Sequence, residues 1–136
     1  MRKMKRVEDS RTENTYLIMN KHINSYGRLF GGVLMQWIDE MAGIVAHRHA
    51  GTIVTTACVD NLNFKAGAYL AHTVRIFHIC IDPYFHGCSS HVCHLSDQDN
   101  KVEVPGLIVE TEAEKAEWQG AEKRYALRKK RRIEGF

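Results

Sequence analysis

The chain has 136 residues and a mass of 15.6 kDa, enough for one domain with a real core and too short for two. Hydrophobic residues make up 44% and charged residues 26%, which excludes a wholly disordered chain and confines any disorder to the ends. The net charge of +3 is concentrated near residues 2–6 and 123–132, which favours anionic ligands without identifying one.

Charged and polar residues follow the basic start where a secretion signal would need its apolar stretch, and no window is apolar for long enough to span a bilayer. The expectation is a soluble, cytoplasmic protein in which Cys58, Cys80, Cys88 and Cys93 are thiols. Residues 1–6 read as a frayed basic end. Residues 7–20 read as a first strand, with Tyr16, Ile18 and Asn20 on one face and Thr15, Leu17 and Met19 on the other. Residues 21–30 form a loop whose Asn24, Ser25 and Gly27 supply turn chemistry, and an asparagine in such a loop readily bonds its own backbone.

A helix is predicted over 31–49. Leu34, Trp37, Ile38, Met41 and Val45 recur at three and four residues and form its apolar stripe. A second stripe, Met35, Asp39, Ala42, Gly43 and Ala46, sets one carboxylate among small residues, where a second backbone or a ligand can come close. Gly31 and Gly32 leave the first N–H groups of the helix uncovered by side chains, and with the positive end of the macrodipole they suit a carbonyl oxygen gaining charge. Asp39 lies about 10 Å further along the axis, too far for one subunit to present both groups to a single carbon. Two copies of the helix, each giving one group, resolve that gap, as does an elongated substrate.

Gly51 offers a helix stop, and His47, Arg48 and His49 before it read as capping or surface residues rather than metal ligands. Residues 53–64 alternate and are β-branched, so a long strand against the helix is predicted. Asp60, Asn61 and Asn63 at its end line a substrate tunnel, pair with a partner's helix, or mark a strand that has run out to the rim. Residues 74–81 read as another strand, stopped by Asp82-Pro83. Next come His86, Cys88, His91, Cys93 and His94; their spacing is not that of a zinc module, and no metal is expected. From Thr111 a last helix is signed by the capping box Thr111 to Glu114, by acids early and bases late, and by the stripe Trp118, Ala121 and Tyr125.

The run Asn24, Gly27, Leu29-Phe30-Gly31-Gly32, Leu34-Met35, Trp37-Ile38-Asp39-Glu40 and Ala42-Gly43 is followed by Arg48-His49-Ala50 and by Thr55, Ala57, Val59-Asp60 and Leu62-Asn63-Phe64. It resembles the hotdog-fold acyl-CoA thioesterases. The resemblance covers residues 7–70 and resumes at Val104-Pro105, Leu107, Glu110-Thr111-Glu112 and Glu114-Lys115. Over residues 71–96 it lapses. The family carries further long strands there, and here the interval is too short and of a different composition, as a frameshift, a deletion, a mis-joined segment or real divergence would leave it.

The resemblance implies an α+β hotdog domain over residues 1–110, an antiparallel sheet wrapped around the central helix with part of the sheet missing, followed by a basic helix over 111–136. It implies hydrolysis of acyl-CoA thioesters to free acid and coenzyme A, within fatty acid metabolism and without a cofactor, coenzyme A being part of the substrate. Gly31 and Gly32 would polarise the carbonyl, Asp39 would act as base or nucleophile, and Asn24 would position water. Phe30, Asn61, Asn63 and Phe64 would contact substrate. A homodimer or higher homo-oligomer is expected, with no nucleic-acid or membrane partner. The alternatives are a non-catalytic acyl-CoA-binding or scaffold protein and an altered, inactive thioesterase. A nucleic-acid binder using residues 123–132 lacks a base-stacking aromatic motif.

Overall fold

A computed structural model of the chain describes residues 3–59, 62–78, 91–95 and 104–135. Its long axis is set by helix α1, Gly31–Ala50, which ends at Gly51 in the left-handed region with φ 72°. The Gly51 N–H donates to the His47 carbonyl at 2.8 Å, the predicted stop. Trp37, Met41, Ala42, Val45, Ala46 and His49 are buried, while Leu34 and Ile38 are half-buried. The buried face is therefore broader than the apolar stripe alone, since Ala42 and Ala46 of the second stripe are also buried while Asp39 is exposed. Ala46 packs with Val7, Val104 and Leu107, which come from both ends of the chain.

Strands β1 (Met4–Arg6), β2 (Thr12–Leu17), β3 (Val54–Val59), β4 (Thr73–His78), β5 (His91–Leu95) and β6 (Gly106–Ile108) pair in twos among the described residues. β2 and β4 are antiparallel, with Thr12 opposite His78 and Leu17 opposite Thr73. β3 and β5 are antiparallel, with Val54 opposite Leu95 and an irregularity between Thr56 and Cys58. α1 packs against β2, β3, β4 and β5, giving the expected α+β arrangement of strands around a central helix.

Residues 4–6 are not frayed. β1 pairs in parallel with β6, Met4 opposite Gly106 and Ile108 opposite Arg6, a partner about a hundred positions away that local pattern cannot reveal. The first long strand is also shorter than predicted: Val7–Ser10 is a 3-10 turn burying Val7 and Ser10, and β2 begins only at Thr12. Ser10 Oγ donates to the Val7 carbonyl at 2.9 Å, which closes that turn on itself. Along β2 the faces are as predicted up to Ile18: Tyr16 is half-buried and Ile18 buried, while Thr15, Leu17 and Met19 are exposed. Of the strand predicted over 53–64, Val54–Val59 is formed, residues 62–64 are not strand, and residues 60–61 lie outside the described residues. Of the predicted strand over 74–81, Thr73–His78 is formed and the rest lies outside the described residues.

The core joins the two ends of the chain: Val7, Val45, Ala46, Val104 and Leu107 cluster together, with Val54, Val109 and Trp118 packed against them. Burying each Val or Leu side chain there stabilises by about 1.5–3 kcal/mol. Helix α2, Glu112–Glu134, docks through half-buried Trp118 and fully buried Ala121, the predicted stripe.

The C-terminal end of α1 is tied down from several sides. Lys5 Nζ on β1 donates to the carbonyls of Arg48 at 2.6 Å and His49 at 2.7 Å, satisfying acceptors that the helix leaves open. Arg48 donates to the Arg11 carbonyl and to Thr12 Oγ1, and His49 Nε2 lies 2.8 Å from the Pro105 carbonyl. His49, read from the sequence as a capping or surface residue, is 1% exposed because that latch draws it under the β6 segment.

Candidate active site

The other end of α1 is built differently. Phe30 occupies the N-cap position in an extended conformation and its side chain caps nothing; no acid lies in the first turn. The Phe30 carbonyl accepts from Val33 at 3.0 Å, but no described group accepts from the N–H of Gly31 or Gly32. Two aromatic rings explain the glycine pair. A Cβ on Gly31 would stand 3.3 Å from the Phe64 ring, and one on Gly32 would stand 2.6 Å from the Phe30 ring. The glycines admit both rings to the helix start while leaving its donors bare.

The loop before α1 is fastened at its base by His22, whose carbonyl accepts from Phe30 at 2.8 Å and whose Nδ1 accepts from the Met19 N–H at 3.1 Å. The His22 ring meets the Trp37 ring edge-on at 5.0 Å, and Tyr16 stacks on the same indole at 4.4 Å. Within the loop, Asn24 Oδ1 accepts from the Tyr26 and Arg28 N–H groups at 2.9 and 3.1 Å. This is the self-bonded asparagine anticipated for a turn, and it commits the oxygen while its Nδ2 takes no acceptor among the described residues.

Asn24, Gly31, Leu34 and Phe64 line one cleft of about 460 Å³, together with Arg28 and Lys65 at its rim. Gly32 and Asp39 line a different cleft of about 390 Å³ with Met35, Ile38, Val59 and Leu62. The two glycines thus open to two sides of α1, and one protomer does not bring Asn24 and Asp39 into a single cavity. Asp39 is exposed and oriented by Thr56 on β3, whose Oγ1 donates to Oδ1 at 2.5 Å. Phe30 borders Gly32 without lining either cleft. Asn63 is exposed and lines neither, and Asn61 lies outside the described residues.

The Thioesterase superfamily matches residues 26–78. The human cytosolic acyl coenzyme A thioester hydrolase is 29% identical over 150 residues, covering 93% of this chain and 40% of that protein. An acyl-CoA hydrolase from Staphylococcus aureus, solved with butyryl coenzyme A, coenzyme A and coenzyme A disulfide, superimposes with a TM-score of 0.83 at 28% identity. That similarity covers 98% of this chain and 93% of the bacterial one. In sequence and in fold the chain is thus similar to acyl-CoA thioesterases.

The chain also resembles a hexameric acyl-CoA thioesterase, with a TM-score of 0.81 at 26% identity over 95% of the chain and 97% of that structure. Structures of the S. aureus enzyme include variants in which one asparagine, one aspartate or one threonine is replaced by alanine, with TM-scores of 0.84, 0.82 and 0.77. The threonine and aspartate lie 17 positions apart there, the separation of Thr56 and Asp39 here.

Thr56 is the residue that sequence reasoning missed. It stands in a run of β-branched residues that read simply as strand, and nothing in that run distinguishes it from Thr55. The available signal was its partner: an exposed helix carboxylate facing a strand invites a hydroxyl donor, but choosing which one requires the register of β3 against α1.

Proposed function

We propose that the protein hydrolyses acyl-CoA thioesters to a free acid and coenzyme A, acting as a homo-oligomer in which neighbouring copies complete each site. The observation that carries this reading is the bare start of α1, two uncovered N–H donors at a helix N-terminus, with Gly31 lining a cleft that also holds Asn24 and Gly32 lining the one that holds Asp39. The N–H groups of Gly31 and Gly32 stabilise the oxyanion formed when water attacks the thioester carbon. Asp39 of a second copy accepts a proton from that water, and Thr56 holds its carboxylate in place. Asn24 orients the water through Nδ2. Collapse of the tetrahedral intermediate breaks the carbon–sulfur bond and releases coenzyme A, which takes up the proton.

The separation of Asn24 and Asp39 into two clefts of one protomer supports a site shared between copies, a dimer being the smallest assembly that closes it. The hexameric relative supports a homo-oligomer of some order. The chain spans 40% of the human relative's length, so the reading concerns what this domain does by itself. Among the described residues no helix is long and apolar enough to cross a membrane, and the human relative is described as cytosolic; a cytoplasmic role in fatty acid metabolism is the corresponding proposal. The test is release of free thiol from a panel of acyl-CoA thioesters, with oligomeric state measured by sedimentation on the same sample. A folded monomer at micromolar concentration that still turns over would remove the shared site, and binding without release would make the chain an acyl-CoA-binding protein.

A further inference from the structure

The cleft that holds Asp39 is lined by the apolar side chains of Met35, Ile38, Val59 and Leu62, with two polar exceptions, Asp39 itself and Gln36 one turn before it on α1. Each of these two is held at one end and open at the other. Thr56 takes Asp39 Oδ1, which leaves Oδ2 without a donor among the described residues. Gln36 Nε2 donates to Glu40 Oε1 at 2.9 Å, a bond between exposed side chains one turn apart. A carboxylate can only accept, so Glu40 draws the NH2 side of the amide to itself and leaves Oε1 open. No described group donates to that oxygen. Glu40 lines a separate cleft with Ile44 and His47, so the amide is anchored from outside the cavity that it lines.

An otherwise apolar cleft with two open side-chain acceptors suits a small molecule that brings two hydrogens. Residues three apart on a helix have Cβ atoms about 5–6 Å apart, a separation that one water spans with a hydrogen bond to each side. Water attacking a thioester carbon has four directions to fill. One lone pair forms the new bond, one hydrogen leaves for Asp39, and the second lone pair accepts from Asn24 Nδ2. Asp39 and Asn24 together leave the second hydrogen unassigned.

We propose that Gln36 accepts the second hydrogen of the attacking water, in the copy that contributes Asp39, and that Glu40 is the positioning residue that fixes its amide. This rests on the hydrolysis reading above. The water oxygen bonds to the thioester carbon as its first hydrogen passes to Asp39. The carbon–sulfur bond then breaks, the sulfur takes that proton, and the hydrogen held by Gln36 stays with the product acid.

The test uses methanol as a competing nucleophile, because methanol has one hydrogen to give and a methyl group where water has its second. Gln36→Met keeps the length of the side chain and removes the acceptor. The kcat for hydrolysis should fall about tenfold with KM little changed, on protein whose sedimentation and thermal midpoint match the parent. At a fixed methanol concentration, the ratio of methyl ester to free acid formed from one acyl-CoA should rise about tenfold, since only hydrolysis needs the second acceptor. Glu40→Ala should shift the ratio in the same direction, and Glu40→Gln, which still offers the amide an acceptor, should shift it less. A merely structural loss at either position would lower both products together and leave the ratio alone. An unchanged ratio in Gln36→Met, including no ester from either protein, overturns the proposal and leaves hydrolysis standing. Release of no thiol by the parent removes the hydrolysis reading, and this inference with it.

Discussion

At the start of α2, Thr111 Oγ1 accepts the Glu114 N–H at 3.1 Å, and the Glu114 carboxylate accepts from Thr111 at 2.9 Å and Glu110 at 2.8 Å. At the start of α1, Phe30 caps nothing and no acid follows. Every helix begins with donors that its own carbonyls cannot reach, and side chains or water ordinarily satisfy them. α2 satisfies its Glu114 donor internally and sets the Glu114 carboxylate against its own positive end. α1 leaves the need open between two phenyl rings, at a cost in local stability, and keeps its positive end available for an incoming oxygen. The comparison separates a helix end that serves the fold from one poised for chemistry, although both obey the same rule.

The largest expected effect tests whether the open end works with a distant base. Asp39→Asn keeps the shape of the site and removes its proton acceptor, so turnover should fall by about 100-fold or more with substrate binding little changed. The comparison requires dimeric, folded protein, and parent-rate hydrolysis by such an Asp39→Asn sample would take Asp39 out of the mechanism. Next in size, Gly32→Val forces a side chain into the space of the Phe30 ring and crowds the approach to the helix start. Binding and turnover should then fall together, by roughly tenfold to a hundredfold, as read from KM and kcat on the folded variant.

A third change makes α1 resemble α2. Phe30→Asp supplies the missing cap, which should stabilise the helix by about 1 kcal/mol while occupying donors that the substrate needs. Thermal midpoint should rise as kcat/KM falls several-fold; a rise in both would mean that the bare donors are not used. The smallest effect concerns α2. The N–H groups of Thr111 and then Glu110 hold the Glu114 carboxyl below its ordinary value of 4.5. A lowered folded pKa means that this capping contribution is complete above the ordinary value and is lost as pH falls through the folded one. The amide protection factors over residues 112–115, exchange corrected for its intrinsic pH dependence, should therefore stay constant from neutral pH to about 5 and fall below that, and Glu114→Gln should abolish the step.

Much of this is written locally. The span of α1, the Gly51 stop, the Thr111 capping box and the Trp118 and Ala121 stripe depend on contacts three or four residues apart, so a short window of sequence contains both partners. The bare glycine pair was legible for the same reason, and the resemblance joined it to Asn24 and Asp39. What the sequence by itself determined is thus where the helices begin and end and which of them begins uncovered.

Tertiary structure decided the rest, because the partners lie tens of residues away. β1 exists only because Gly106–Ile108 offers it a ladder, and His49 is buried only because Pro105 returns beside the end of α1. Ala46 joins the core because Val7, Val104 and Leu107 close over it from both ends of the chain. Thr56 orients Asp39 only in the register that β3 adopts against α1. Backbone pairing and packing across such separations are selected by the whole chain's burial, in which no single segment holds both halves of the contact.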